Sequence, residues 1–204
     1  CDMATDIKHS HVPTRAPEWV CRNSSDHLFV YANEVLLHSS KIDDDDLRHL
    51  RGLTSLQRLR VLAASISDQG MTHLEPLTSL EELSISHSGV TCRGLASLSN
   101  MSHLETLLLR RTLVGDTGLK HLSGLKSLQR LDLAGTRITN AGLVHLAPLR
   151  LSRLELQNTQ LDDRAVPMLA AMRSLEYIDI SGTSISNYGF RQLQSALPAA
   201  TIYH

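Results

Sequence analysis

The sequence has few aromatic residues, few cysteines and almost no net charge. Aromatic residues make up 3% of its 204 residues, three residues are cysteine, and the formal net charge is −1. A chain with so few large rings has to build its core from aliphatic side chains. The balanced charge gives no reason to expect binding to nucleic acid, which calls for an excess of basic residues, or to an anionic membrane.

Motifs that carry chemistry are also missing. No apolar run approaches the ~18 residues that a membrane-spanning helix needs. The sequence contains no glycine-rich phosphate loop, no nucleophile elbow and no paired catalytic motif. It therefore predicts a protein that is not an enzyme, does not span a membrane, and needs no cofactor, metal ion or small-molecule substrate.

The cysteines bear on the compartment. Cys1, Cys21 and Cys92 are an odd number and are far sparser than the cysteine-rich caps of extracellular repeat proteins. We therefore expect an intracellular protein, in the cytosol or the interior of an organelle. Two N-glycosylation sequons, at Asn23 and Asn100, keep an exported protein as the alternative.

What the sequence does contain is an internal repeat. One aliphatic position recurs at intervals of 24 residues, with a single interval of 23, and one further step of 24 reaches Ile202. Its seven occurrences are Val35, Leu59, Leu83, Leu107, Leu131, Leu154 and Ile178. A period of this length predicts a solenoid, in which each repeat forms one coil and stacks on its neighbours.

Each repeat starts with the period of a strand and continues with the period of a helix. Leu131 and Leu133 are expected to point into the core. Six of the seven residues at the expected start of the helix can accept a hydrogen bond as N-caps; they are Asp43, Ser67, Thr91, Thr139, Asp162 and Ser186. A recurring glycine, such as Gly142, predicts a close contact with the neighbouring coil, and Pro167 predicts a late or bent helix in the sixth repeat.

These repeats resemble leucine-rich repeats. The head of the fifth repeat reads Leu128-x-x-Leu131-x-Leu133, and the segment from Ile138 to Leu143 is similar to the I-T-D-x-G-L convex segment of short leucine-rich repeats. The resemblance implies an α/β solenoid of right-handed coils, with a parallel sheet on the concave face and helices on the convex face. We expect an N-terminal cap over residues 1–33 and a repeat domain over residues 34–204, made of seven repeats and a terminal strand.

Two patterns superficially suggest a metal site. Four histidines, His49, His73, His121 and His145, recur at one repeat position. Helices of successive coils pack about 8–10 Å apart, too far for one zinc ion with bonds of ~2 Å. The acidic run 43–46 lacks the spacers and glycine of a calcium loop, and it falls where acidic side chains offset a helix dipole. We interpret the histidines as a solvated helix face and the acidic run as a helix start.

The candidate binding residues are strand side chains that point away from the core, together with their neighbours. They are Leu108, Arg110, Arg111, Arg130, Asp132, Arg153, Glu155, Tyr177 and Asp179. Like charges would lie on adjacent strands there and repel, although diagonal Arg–Asp pairs can offset part of the repulsion. The remaining repulsion predicts a partner with complementary charges. Because Asp132 is expected to face water, its replacement by alanine should change the free energy of unfolding by only about 0.5 kcal/mol.

The function that follows from a repeat scaffold without catalytic motifs is recognition. We expect a non-enzymatic protein-protein interaction module that holds a protein or peptide partner on its concave sheet, as a recognition or scaffold subunit. The alternatives are a permanent structural subunit of a large assembly and an exported or surface sensor or receptor. The sequence does not predict the oligomeric state.

Overall fold

A computed structural model describes residues 27–31, 33–38, 40–62 and 64–204, with the backbone alone for residues 27–31. Most of the predicted cap, including Cys1, Cys21 and the sequon at Asn23, lies outside the described residues. No helix in the described part of the chain is long and apolar enough to cross a membrane.

The described residues form one nine-stranded sheet with its strands in chain order. The strands are β1 (His27–Tyr31), β2 (Glu34–His38), β3 (Arg58–Leu62), β4 (Glu82–Ser84), β5 (Thr106–Leu108), β6 (Arg130–Asp132), β7 (Arg153–Glu155), β8 (Tyr177–Asp179) and β9 (Thr201–Tyr203). Strand β1 pairs antiparallel with β2, whereas all later neighbours pair in parallel.

The register of the parallel strands is the one that the repeat period predicts. Val35 lies opposite Leu59, and the same position pairs from coil to coil until Ile178 meets Ile202. Stacking by one repeat keeps each aliphatic side chain in line with its equivalent, so the core is a continuous column. Leu131 and Leu133 are both fully buried in it. The predicted α/β leucine-rich-repeat solenoid is confirmed.

The helical segments on the other side are short. The α-helices are α1 (Asp44–Leu47), α2 (Asp68–Thr72), α3 (Asp116–Leu119), α4 (Val166–Ala171) and α5 (Asn187–Ala196), and 3₁₀ helices span Arg48–Leu50, Gly94–Leu98, Lys120–Leu122, Asn140–His145 and Asp163–Ala165. All six predicted N-cap side chains accept a backbone N–H from two or three residues ahead. The prediction for Pro167 is also confirmed, because helix α4 starts only at Val166 and holds this proline in its first turn.

Polar side chains join each coil to the next on the helix side, and we call this series the inter-coil ladder. Asp116 accepts the backbone N–H of Thr139 at 2.8 Å and its hydroxyl at 2.6 Å. The same pair of bonds joins Asp44 to Ser67, Asp68 to Thr91 and Asp163 to Ser186. At the two remaining junctions, the Cys92 thiol bonds the backbone of Gly115, and Asn140 bonds Asp162.

The recurring glycine lies directly against this ladder. A Cβ atom at Gly142 would overlap the carboxylate of Asp116, and one at Gly94 would come within 2.7 Å of an Asp68 oxygen. A side chain at either glycine would therefore push the ladder residue out of its bonds. The predicted close contact with the neighbouring coil is confirmed.

Candidate partner-binding site

The candidate residues lie around one surface, which we call the outer sheet face. It consists of the side chains of β2–β9 that point away from the core, together with the residue two positions after each of the three-residue strands β4–β8, such as Arg110 after β5. The register places Leu108 beside Asp132, and places Glu155 between Asp132 and Asp179. Arg130 and Arg153 are likewise neighbours on β6 and β7.

The carboxylates of this face are buried. Asp132 is 6% exposed and Glu155 is 5% exposed. The Oδ1 atom of Asp132 accepts the backbone N–H of Ala134 at 2.9 Å, and its Oδ2 atom accepts a hydrogen bond from Nε of Arg110 at 3.1 Å. The expectation that Asp132 faces water is therefore wrong. The side chain bends back to its own backbone, and an arginine from the preceding coil covers it.

Three arginines converge on Glu155. Nε of Arg153 donates at 2.8 Å, Nη2 of Arg130 at 3.1 Å and Nη2 of Arg110 at 3.4 Å. We call these three arginines, with Asp132 and Glu155, the arginine cluster. Burial raises the pKa of Glu155, but the hydrogen bonds from Arg153 and Arg130 outweigh it and leave the pKa below the usual 4.5. Glu155 is consequently ionised at neutral pH.

The predicted like-charged neighbours are present, and ion pairs between the rows offset their repulsion. Arg130 and Arg153 lie side by side, but both donate to the same carboxylate of Glu155. Arg110 bridges the two adjacent carboxylates of Asp132 and Glu155. Each like-charged pair thus shares an oppositely charged group, and these ion pairs offset the repulsion within the cluster.

The cluster is layered, with carboxylates below and guanidinium groups above. The side chains of Arg110, Arg130 and Arg153 are 41%, 42% and 38% exposed, whereas those of Asp132 and Glu155 are 8% and 7% exposed. A molecule that approaches this face would therefore meet cationic groups first. This layering could not be read from the sequence, in which the acidic and basic residues occupy equivalent outward positions.

Tyrosines border the cluster at its C-terminal side. The guanidinium carbon of Arg153 lies 3.8 Å from the ring centre of Tyr177, within cation–π range. Tyr177 in turn lies 5.5 Å from Tyr203, ring centre to ring centre. Burial and the charge of Asp179 raise the pKa of Tyr177, so its hydroxyl remains protonated at neutral pH and can donate a hydrogen bond.

The other candidates are placed less centrally. Leu108 is half-buried on β5, and Asp179 accepts hydrogen bonds from Gln157 at 2.6 Å and from the Ser181 hydroxyl at 2.6 Å. Arg111 is exposed in the loop after β5 with a φ of 54°, and its side chain lies along Gly135 of the next coil. Arg111 therefore lies beside the outer sheet face and does not join the arginine cluster.

The sequence interpretation missed Gln157 and Tyr203, although both occupy recurring positions. Tyr203 pairs with Asp179 through the predicted terminal strand, so the repeat register contained the signal.

At the opposite end of the sheet, Arg60 forms ion pairs with Glu82 at 2.7 Å and with Glu34 at 3.4 Å. The charges of this N-terminal set are thus paired with one another.

Across the part of the chain that the structure describes, no group of three His, Cys, Asp or Glu side chains is placed to hold a metal ion.

Comparisons with known proteins agree with the architecture. A sequence model of the leucine-rich repeat matches residues 124–147. Internalin C2 of Listeria monocytogenes is similar in structure, with 24% identity, a TM-score of 0.67, and coverage of 84% of this chain and 70% of internalin C2. No curated protein sequence matches the chain significantly.

Two further solved structures share the fold at lower similarity. A leucine-rich-repeat protein of Leptospira interrogans is 18% identical, with a TM-score of 0.53 over 77% of this chain and 51% of that protein. A plant ice-binding protein is 21% identical, with a TM-score of 0.52 over 75% of this chain and 49% of that protein. The chain thus spans about half the length of each of these two proteins, and the likeness concerns the fold alone.

Proposed function

We propose that this chain, a leucine-rich-repeat protein, is a non-enzymatic interaction module that holds a protein or peptide partner on its outer sheet face, the concave face of the solenoid. The residues that carry the contact are Leu108, Arg110, Arg130, Arg153 and Tyr177. Asp132 and Glu155 position the arginines from below, and Asp179 lies beside Glu155 on β8. Arg111 contributes at the border.

The observation that carries this proposal is the burial of Glu155 beneath three arginines. Taking a carboxylate out of water carries a desolvation penalty, and a surface that only has to be soluble gains nothing from it. What the arrangement achieves is to hold Arg110, Arg130 and Arg153 in fixed positions. Ordered side chains lose little entropy on binding, and arginine and tyrosine are frequent in the residues that dominate binding energy.

The test compares two matched double substitutions in affinity capture from the source cell. Leu108→Ser with Tyr177→Ser removes apolar contact area from the outer sheet face without removing an arginine from Glu155. Leu113→Ser with Tyr188→Ser makes the same chemical change at residues that are 42% and 66% exposed elsewhere. We expect the first pair to abolish capture of the partner and the second pair to retain it. Loss of capture by the second pair alone would overturn the proposal.

We also propose that the module works inside the cell, in the cytosol or an organelle interior. The support is the scarcity of cysteine, since three residues give no framework of disulfides. Asn100 is exposed, so its sequon would be open to glycosylation along a secretory route. Mass spectrometry of the native protein should find Asn100 unmodified, and a sugar on this residue would place the protein outside the cytosol.

A further inference from the structure

The arginine cluster also indicates the chemistry of the partner, on the basis of the proposed function. We infer that the outer sheet face binds an acidic polypeptide segment, whose carboxylates meet Arg110, Arg130 and Arg153. This is narrower than the sequence expectation of a partner with charges of both signs. The argument rests on the layering of the cluster, its unused donors and its net charge.

The layering decides the sign of the partner. The carboxylates of Asp132 and Glu155 are 8% and 7% exposed, and the arginine side chains above them are about five times more exposed, at 38–42%. A basic segment would meet guanidinium groups before it could reach either carboxylate. An acidic segment would meet them directly.

The arginines retain donors for such a segment. A guanidinium group has five N–H donors. Arg110 uses Nε and Nη2, Arg130 uses Nη2, and Arg153 uses Nε in hydrogen bonds to the two carboxylates. Nη1 of all three arginines is outside these bonds. Bidentate pairing with carboxylates is the usual geometry of such donors.

A short extended chain can cross the arginines of the cluster. The three arginines belong to three successive coils, and neighbouring strands lie about 4.8 Å apart. A peptide that crosses the strands presents alternate side chains on one side about 6.6 Å apart. This interval exceeds the strand step by about 2 Å, a difference that the long side chains of glutamate and arginine can take up, so a segment with an acid at every second residue can reach more than one arginine.

The balance of charge favours a polypeptide over a nucleic acid. Three arginines stand over two carboxylates, and the whole chain has a formal net charge of −1. Nucleic-acid binding proteins instead neutralise many phosphates with extended basic surfaces. A modest local excess of positive charge is sufficient to bind the few, separate carboxylates of a polypeptide segment. At the edge of the cluster, Tyr177 and Tyr203 offer apolar contact area and hydroxyl groups to the same segment.

The test measures binding of fluorescein-labelled eight-residue peptides by fluorescence anisotropy. One peptide carries glutamate at alternate positions, and two otherwise identical peptides carry lysine or glutamine there. A single-stranded DNA oligonucleotide of similar length is the fourth probe. We expect the glutamate peptide to bind tightest, with an affinity that falls as salt is raised.

Two substitutions in the cluster should each weaken this affinity. Arg130→Gln and Arg153→Gln each remove one guanidinium group from the surface and should weaken binding of the glutamate peptide about three- to tenfold. Arg191→Gln is the matched control on helix α5, where the side chain is exposed, and it should leave the affinity unchanged. Circular dichroism at the assay temperature confirms that each variant is folded.

Several outcomes would overturn the inference: no preference for the glutamate peptide, tighter binding of the lysine peptide or the DNA, or unchanged binding after both Arg130→Gln and Arg153→Gln. They are distinguishable from failure of the proposed function. If Leu108→Ser with Tyr177→Ser still abolishes capture of the natural partner, the outer sheet face remains the binding surface and only the acidic class is wrong. If neither assay responds to the outer sheet face, both proposals are wrong.

Discussion

At the scale of single residues, the neighbours Leu131 and Asp132 on β6 are both buried but stabilise the protein in different ways. Leu131 is fully buried in the aliphatic column, and Asp132 is 6% exposed on the opposite side of the sheet. The first stabilises the coil by packing. The second stabilises it by satisfying the N–H of Ala134 and the guanidinium of Arg110.

Substitutions at these two residues should both destabilise the protein. We expect Leu131→Ala to lower the free energy of unfolding by about 2–5 kcal/mol, because it leaves a cavity. Asp132→Ala should lower it by about 1–3 kcal/mol, because two donors lose their acceptor. Glu105→Ala, at an exposed residue close to the same face, should change it by no more than about 0.5 kcal/mol. Urea denaturation at neutral pH measures all three, and an Asp132→Ala value as small as that of Glu105→Ala would contradict the burial.

Glu155 predicts a pH dependence. Its pKa is lower in the folded state than the ordinary 4.5, so its contribution to stability is fully present above pH 4.5. That contribution is lost as the pH falls through the folded pKa. The difference in the free energy of unfolding between the wild type and Glu155→Gln should therefore shrink as the solution is acidified below pH 4.5. A difference that stays constant over this range would show that the carboxylate is not held by its arginines.

At the scale of elements, the inter-coil ladder explains how such short helices stay in register. An isolated helix of four to six residues is unstable in water. Here the first residue of four helical segments bonds a cap residue of the following coil by two hydrogen bonds, as Asp116 does with Thr139. The helix starts at Ser67, Thr139 and Ser186 are therefore fixed twice, by their own caps and by the coil before them.

The junction between Cys92 and Gly115 is the weakest step of this ladder, because a thiol replaces a carboxylate and a glycine replaces a hydroxyl residue. A Cβ atom at Gly115 would have its nearest neighbours at 3.7 Å, which leaves room for a side chain. We predict that Cys92→Asp with Gly115→Thr restores the bonds and raises the free energy of unfolding by about 1 kcal/mol.

The reverse exchange, Asp116→Cys with Thr139→Gly, should lower stability by at least as much. Thermal unfolding of both double variants beside the wild type provides the measurement. If the first exchange has no effect while the second destabilises, the ladder is not transferable between junctions and the account of Gly115 fails.

At the scale of the whole molecule, the strand register could be predicted from the sequence, whereas the ion pairs of the outer sheet face could not. The period places Leu131 opposite Leu107 and Leu154 because a parallel stack repeats every coil in the same environment. The burial of Asp132 depends instead on which way Arg110 of the preceding coil turns. The rotamers of exposed arginines do not follow from the hydrophobic period, so the ion pairs around Asp132 and Glu155 could not be predicted.

The backbone conformation of the loops after the strands could likewise be predicted only in part from the sequence. His87, Arg111 and Asn158 have φ values of 54–60°, at the repeat position where Gly135 and Gly182 have 67° and 70°. Two of the five residues are glycine, and asparagine and histidine also adopt a left-handed conformation more often than most residues. Arg111 is the exception, so its conformation was not readable from the sequence, and its side chain lies along Gly135 of the next coil.

The central claim is that a partner contacts the outer sheet face, and site-specific photo-cross-linking tests it most directly. Tyr177 on the outer sheet face and Tyr188 on helix α5 are a natural pair, since Tyr188 is 66% exposed and its hydroxyl accepts a hydrogen bond from Gln192. Each is replaced in turn by p-benzoylphenylalanine, and the source cells are irradiated. The account predicts a covalent adduct with the partner from position 177 and none from position 188. An adduct from position 188 alone would place the partner on the helix side and contradict it.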